Sequence, residues 1–455
     1  MTSKDAVSRG ALEAAGSGVA AGGAESTQRP AEILILTPQF PYPPHQGTTI
    51  RNYNLIAGLA QRHRVHLLSF GDPVACQGSP LDQLCQTVRI VPTPQRSTGQ
   101  RLAGLLLSRL PDMARRLPSD QYRAELHELL EDVDPDVVEV EGIELAQYLF
   151  QVAAQRARSN VPLLVFDDHN AEYVLQQRAF ETDARQVRSL AGPASNWLRR
   201  LVGAVYSYVQ WRRLRAYERR ACLAADRVVA VSEADAAAIR ELDAGLRPIV
   251  VPNGVDVAFY ADPGPSLTEG TGPGSRDLVF TAKMDFRPNV DAVLWFAHEV
   301  MPLVQREISE ARFWAVGKDP HPRLAALAED PAVVLTGWVE DVRPYIAGAG
   351  IYVVPLRIGG GTRLKVLEAM AMGKAIVSTS LGCEGFELAS DQELLLADTP
   401  AEFAAAVVTL LRDAERRKRL GRAARRLAET RYDWRMIVPQ LERVHHTGPL
   451  GPDTT

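Results

Sequence analysis

The residues best suited to chemistry gather in the run GIYVVPLRIGGGTRLKVLEAMAMGKAIVSTS, residues 350–380. Three consecutive glycines, Gly359, Gly360 and Gly361, leave backbone N–H groups open to close approach, and Arg363 and Lys365 fall within the first turn of the helical pattern that follows. A helix start carries partial positive charge, so two cations there are unfavourable unless an anion sits among them. A diphosphate would supply that anion. Spacing alone leaves a second reading open, a glycine-rich turn with two solvated basic side chains.

A second cluster lies in DDHNAEYV, where Asp167, Asp168, His169, Asn170 and Glu172 follow the apolar run 162–166. Polar groups collected at the carboxyl end of a strand are site candidates in open α/β sheets. A capping or core role is the alternative for His169. Near the start of the chain, TPQFPYPPHQGTTIRN sets Gly47 beside Thr48 and Arg51 in a loop that also follows a strand. A glycine chosen only for its turn is the alternative there.

These residues need strands and helices in alternation to position them. In the first half, apolar β-branched runs predict strands at 33–36, 65–70, 88–91, 136–140, 162–166, 227–231 and 249–251. Helices are expected at 49–62, across 100–131 with breaks at Pro111 and Pro118, and at 195–225, with Ser232 as the N-cap of the next one. Residues 261–276, ADPGPSLTEGTGPGSR, read as a linker. The alternation then restarts with strands at 278–281, 313–316, 333–336, 351–355 and 375–379, and helices at 289–300 and after the glycine loop, the latter stopped by Gly373. Residues 400–444 read as helical. The expected class is α/β, two Rossmann-like domains facing across a cleft, the usual place for a ligand.

Composition narrows the function. With 455 residues, 46% hydrophobic and 23% charged, the chain suits two or three globular domains. Its formal net charge of −4 provides no global field for nucleic acid. Cys76, Cys85, Cys222 and Cys383 lack zinc-like spacing and fit a reducing compartment. No 18-residue apolar run predicts a membrane span. Residues 1–29, rich in Ala, Gly and Ser, read as a disordered tail rather than a signal peptide. The segment 195–220 carries Arg199, Arg200, Arg212, Arg213, Arg215, Arg219 and Arg220 interleaved with Trp197, Tyr206, Tyr208 and Trp211. That mixture fits an interfacial membrane helix, or a solvated helix packing its aromatics on a core.

Taken in order, ILILTPQFPYPPHQG, VVAVSEAD, VPNGVD, VGKDP and VLTGWVEDVRPYIAGAGIYVVPLRIGGGTRLKVLEAMAMGKAIVSTSLGCEG resemble the group 1, family-4-type glycosyltransferases of the GT-B fold over residues 31–440. The resemblance is closest to a branch with GGGTRLKVLEAMA in place of the full Glu-x7-Glu donor motif. It implies an acceptor-side domain at 30–252, a nucleotide-sugar donor domain at 253–425 and a C-terminal helix, 426–447, returning to the first domain. It implies donor-binding positions Gly47, Lys283, Arg287, Gly359, Gly360, Gly361, Thr362, Leu367 and Glu368, with His169, Arg363 and Lys365 in catalytic roles. Glu368 matches the second motif glutamate, which accepts from the ribose hydroxyls; Gly360 stands where the first would fall. Lys283 occupies the diphosphate-binding Arg position, and the companion Lys position falls on Pro288 or Asn289. Arg287, Arg363 and Lys365 are then the source of the missing charge. An i,i+3 salt bridge from Lys365 is the alternative role for Glu368.

The function so implied is transfer of a sugar from a nucleotide-diphosphate sugar to a glycan, lipid-linked or small-molecule acceptor with retention of configuration. No cofactor and no metal are expected. The expected location is cytoplasmic, with peripheral membrane contact through 195–220. Two alternatives stay open: a nucleotide-sugar epimerase, with Asp167, Asp168 and His169 as its acid and base, or a phosphorylase on the same fold, and a non-enzymatic membrane-surface scaffold.

Overall fold

The computed structural model describes residues 29–97, 108–155, 161–188, 194–268 and 270–446. They fall into two units: the described residues up to Val251 with those from Val438 onward, and Pro252–Ile437. Of the expected tail, residues 1–28 lie outside the described residues, as do 100–107 of the expected helical stretch and 447 at the end of the C-terminal one.

The strands of the first unit are β1 (Glu32–Thr37), β2 (Arg64–Gly71), β3 (Thr87–Pro92), β4 (Val137–Glu141), β5 (Leu163–Asp168), β6 (Arg227–Ala230) and β7 (Ile249–Val250). They lie in the order β3-β2-β1-β4-β5-β6-β7, all parallel. Parallel strands are covered on both faces and therefore read as continuous apolar runs; Ile33, Leu34, Ile35 and Leu36 of β1 are all buried. The second unit holds β8 (Leu278–Thr281), β9 (Phe313–Val316), β10 (Val333–Gly337), β11 (Ile351–Val354), β12 (Ile376–Ser378) and β13 (Leu395–Leu396). Their order is β10-β9-β8-β11-β12-β13, again all parallel. Each sheet thus reverses its winding once, between β1 and β4 in the first and between β8 and β11 in the second. Loops leaving such a switch point diverge and leave a crevice at the carboxyl edge.

The helices that bear on the two crevices are α1 (Gly47–Leu59), α2 (Glu172–Arg188), α3 (Ala194–Ala224), α4 (Val257–Ala261), α5 (Arg287–Trp295), α6 (Leu364–Ala371) and α7 (Trp434–His445). The N-terminus of α1 follows β1, and that of α6 follows β11. Gly373, with φ +63°, ends α6 in the left-handed conformation that glycine tolerates best. Ser232 caps the helix Glu233–Leu242 by accepting from the Asp235 N–H at 3.1 Å. Packing of Phe296 against Phe313 and Phe403, all fully buried, closes the second core.

Several expectations shift. Residues 261–276 lie inside the second unit, because the units divide at Val251, before α4 and β8. The strand expected at 162–166 extends to Asp168, since Asp167 and Asp168 continue the pairing with β6. The stretch 400–444 is broken into the helices Pro400–Arg412 and Ala414–Leu427, a π-helical segment Ala428–Tyr432, and α7. Asp413 and Asp433 stand at two of these breaks, and Asp413 caps the helix after it through the Arg416 N–H at 2.8 Å.

Candidate active site

The switch point of the second sheet assembles the first cluster. Gly359 and Gly361 adopt φ +109° and +77°, where a side chain is strained. A Cβ on Gly359 would come 3.2 Å from Arg363 Nη2 and 3.4 Å from Pro288 Cγ of α5, so the β11 loop lies against the start of α5. Arg363 is the N-cap residue of α6, and its guanidinium donates to the Gly360 carbonyl. Thr362 Oγ1 is buried beside the loop with no hydrogen-bond partner. On the β8 side, Lys283 pairs with Asp285 at 3.1 Å in solvent, a contact of little energetic weight. Arg287 opens α5, is exposed and makes no ion pair among the described residues. An unpaired cation at a helix N-terminus is disfavoured until an anion joins it.

Lys365 departs from the solvated side chain that sequence permits. Its ammonium donates to Asn289 Oδ1 at 3.1 Å and lies 4.2 Å from the centre of the Phe280 ring. Asn289 in turn donates to the Lys283 carbonyl at 2.9 Å, tying α6 to the β8 loop. Burial lowers the Lys365 ammonium to about 7; Glu368 opposes the shift and Arg363 adds to it. Glu368 is raised by burial, against a hydrogen bond from the Tyr260 hydroxyl and the field of Lys365. Part of each residue's surface stays exposed, but the charged ends sit in dense packing. The i,i+3 salt bridge does not form, because Lys365 turns to Asn289 instead. Leu367, expected among the donor-binding positions, is fully buried in the core, since it lies on the inward face of α6.

The first sheet assembles the second cluster. Successive strand residues point to opposite faces, so Asp167 and Asp168 part company. Asp167 accepts from Arg51 Nε at 3.0 Å and Nη2 at 2.7 Å, both residues essentially buried. Burial alone would lower the Arg51 guanidinium, but the surrounding carboxylates, Asp167 foremost, raise it. Beside them Glu141 is pushed well above its usual range by burial and then by Asp167 and Glu139. Glu139 is held down, despite burial, by His445 of α7, whose Nε2 lies 2.7 Å from Glu139 Oε2. His169 presents Nε2 to Glu141 Oε2 at 3.1 Å and Nδ1 to Asp167 Oδ1 at 3.8 Å. Burial keeps its imidazole neutral more readily than usual, with Asp167 opposing.

Asp168 faces the other way, toward α3. Burial and then the neighbouring Glu218 raise its carboxyl strongly. Glu218, raised to about 8 by burial, accepts the Glu172 and Tyr173 N–H groups at 2.9 and 2.8 Å and so caps α2. Glu172 itself is raised to about 7 by burial. Ligand atoms of Glu141, Asp167 and His169 lie within 4.8 Å of one another, close enough to hold a metal ion. The buried Arg51 guanidinium on Asp167 opposes a second cation there.

Gly47 and His169 belong to the first unit and the other expected site residues to the second. Sequence reasoning passed over Glu141, Glu218 and Tyr260. The first two had signals: Glu139 and Glu141 alternate within the buried strand VVEVE, and Glu218 follows Leu214 and Tyr217 on the buried face of α3. Tyr260 sits in the five-residue helix α4, too short for periodicity to show.

Comparison with known proteins agrees with this geometry. Residues 275–413 match the family described as glycosyl transferases group 1, and residues 45–259 match glycosyltransferase family 4. A phosphatidyl-myo-inositol mannosyltransferase of Mycolicibacterium smegmatis is 31% identical over 206 residues, 44% of this chain and 52% of the relative. One from Mycobacterium tuberculosis is 27% identical over 209 residues, covering 44% and 54%. The chain spans about half the length of these curated relatives. Among solved structures, Anabaena HepE in complex with UDP aligns with a TM-score of 0.58 at 14% identity, covering 91% of this chain and 99% of that one. The sucrose-phosphate synthase of Thermosynechococcus elongatus aligns at 0.61 and 15%, covering 91% and 98%.

Two parallel sheets, each with a loop-lined switch point, define a GT-B protein. The chain belongs to the group 1, family 4 glycosyltransferases.

Proposed function

We propose that this chain transfers a sugar from a nucleoside-diphosphate sugar to an acceptor hydroxyl, with retention of configuration at the anomeric carbon. The observation that carries the reading is the cradle at the β8/β11 switch point. There a glycine loop precedes the enclosed Lys365 ammonium, which Asn289 of α5 holds, and Arg287 at the start of α5 is exposed with no ion pair among the described residues. A diphosphate satisfies all three. Glu368, with its carboxylate held by Tyr260, then takes the ribose hydroxyls.

As the bond from the anomeric carbon to the diphosphate oxygen breaks, charge grows on the leaving group. Donors fixed in advance at that position stabilise it without reorganising, the usual source of a large rate effect. The acceptor oxygen attacks from the face the diphosphate leaves, and its proton passes to a leaving phosphate oxygen. No carboxylate has to act as nucleophile. We assign His169 to the transferred sugar. The epimerase alternative loses support, because Asp168 is committed to Glu218 and Asp167 to Arg51.

The mannosyltransferases among the relatives are named for phosphatidyl-myo-inositol, which favours a lipid-linked acceptor here. The exposed side chains Trp197, Val202, Val205, Tyr206 and Tyr208 of α3 suit contact with a membrane surface. No described helix is long and apolar enough to cross a membrane. Four free, buried cysteines fit a cytoplasmic location. The test is a panel of nucleotide-sugars screened for protection against thermal unfolding. The protecting donor is then incubated with lipid extracts, and the anomeric configuration of the product is read by NMR. Protection by a single donor sugar and a product of unchanged configuration are expected; an inverted product refutes the mechanism, and no protection refutes the donor site.

A further inference from the structure

Residues two apart on a strand share a face, so Glu139 and Glu141 of β4 point the same way, and Asp167, abreast of Glu141 on β5, joins them. All three are buried. Two basic side chains reach these acids, and each has an acid of its own. Arg51 takes Asp167 through Nε and Nη2, and His445 takes Glu139 at 2.7 Å. Glu141 meets two other nitrogens through its Oε2. The Asn52 amide of α1, with its nitrogen toward these acceptors, donates to Oε2 at 3.1 Å and to the Thr48 carbonyl at 3.2 Å. On the other side stands His169 Nε2, also at 3.1 Å.

The residue after Glu141 makes this approach possible. Gly142 has φ +79°, a conformation that suits glycine. A Cβ there would come 3.5 Å from His169 Cδ2 and 3.3 Å from Glu144 Oε2. The turn after β4 therefore lies against the edge of the imidazole. The Gly142 N–H donates to the Asp167 carbonyl at 2.9 Å, which ties the end of β4 to the end of β5. Glu144, at the far side of that turn, pairs with Arg116 at 3.4 Å.

We propose that Glu141 is the positioning residue of His169 and acts on it uncharged, as a hydrogen-bonding partner and not as a counter-ion. The inference rests on the reading of His169 given above. A charged Glu141 would stand beside Asp167 and Glu139 in a buried site, and neighbouring like charges disfavour ionisation there. Burial, then Asp167 and Glu139, accordingly hold its carboxyl well above the usual range, with Arg51 opposing. Burial also favours the neutral form of the imidazole beside it. Two neutral groups at 3.1 Å are within reach of one hydrogen bond. A bond at one ring nitrogen fixes the ring's orientation and decides which nitrogen carries the proton. Asn52 holds Glu141 from α1, so the imidazole is braced through a strand and a helix. His169 then meets the sugar with its ring already set.

The experiment measures kcat of transfer, and binding of UDP and GDP by calorimetry, in the full chain. The variants are Glu141→Met, Glu141→Gln, His169→Ala and the double variant His169→Ala with Glu141→Met. Met fills the space of Glu without hydrogen bonding, and Gln keeps the hydrogen bonding without the charge. Glu141→Met should lower kcat by about 10- to 100-fold and bind nucleotide as the parent does. Glu141→Gln should recover most of that loss. The double variant should transfer no more slowly than His169→Ala alone, because Glu141 acts through the ring. A Gln variant as slow as the Met variant overturns the inference, since a charge is then required. A double variant slower than His169→Ala by the full Glu141→Met loss overturns it too, since Glu141 then acts independently of the ring. A Glu141→Met protein that transfers like the parent removes the positioning role and leaves His169 standing. A His169→Ala protein that transfers like the parent overturns both.

Discussion

Replacing Lys365 by Met keeps the length of the side chain and removes its charge. Burial brings the Lys365 ammonium from 10.5 down to about 7. At pH 8 roughly a tenth of the molecules then carry the charge. A diphosphate restores the favourable environment, so binding above pH 7 takes up close to one proton. Affinity for a nucleoside diphosphate should fall about tenfold per pH unit above pH 7. Stability runs the other way. The folded protein binds fewer protons than the unfolded chain between about 7 and 10.5, so the parent gains stability as pH rises through that window. The cost of the enclosed ammonium is greatest below pH 7, roughly 4–5 kcal/mol at its upper bound. Lys365→Met should therefore raise Tm more at pH 6 than at pH 9, bind nucleotide more weakly than the parent at pH 6.5, and show a flat affinity between pH 7 and 9. Calorimetry with UDP and GDP in buffers of different ionisation enthalpy reads both the affinity and the proton uptake. A parent affinity that stays flat from pH 7 to 9, or a Met variant that keeps the slope, refutes the reasoning.

Other residues separate by role. Glu368→Ala should raise the donor KM by about 10- to 100-fold with kcat largely kept, because ribose contacts are alike in ground and transition states; Tyr260→Phe should give a smaller effect of the same kind. His169→Ala should lower kcat by on the order of 10²-fold in the transfer assay. Asp168→Asn replaces a raised carboxyl beside Glu218 with an amide that does not titrate. The Glu218 carboxyl, raised to about 8, makes the folded protein hold more protons than the unfolded chain between about 4.5 and 8, so the parent loses stability as pH rises through that range. The Asn variant should show a smaller fall in Tm from pH 6 to pH 9. Val202→Ser with Val205→Ser should reduce sedimentation with anionic vesicles; a parent that does not sediment with them removes the membrane proposal.

The fold was legible wherever burial dictated residue type. Runs such as ILIL in β1 and IYVV in β11 must be covered on both faces, and no surface element reads that way. The glycine loop was legible because Gly359 and Gly361 occupy backbone conformations few other residues tolerate. Strand ends were less clear. Asp167 and Asp168 look like loop residues, and only the partners Arg51 and Glu218, 116 and 50 positions away in the chain, let a strand end in two buried acids. The state of Lys365 was also hidden, because its surroundings come from Phe280 on β8 and Asn289 on α5. The arginines of α3 read as one basic surface, yet Arg219 binds Asp243, Arg215 donates to the Glu241 carbonyl and Arg220 lies over Phe150. Pairings of this kind depend on tertiary contact and leave no periodic trace.

The most direct test of the account measures nucleoside-diphosphate binding, separately from turnover, in the parent, Glu368→Ala and His169→Ala. With the donor's nucleotide held by the second unit, Glu368→Ala should lose about 10- to 100-fold in affinity, while His169→Ala binds as the parent does and fails in transfer. A His169→Ala protein that loses nucleotide affinity, beside a Glu368→Ala protein that keeps it, would place the nucleotide on the first sheet and contradict the central claim.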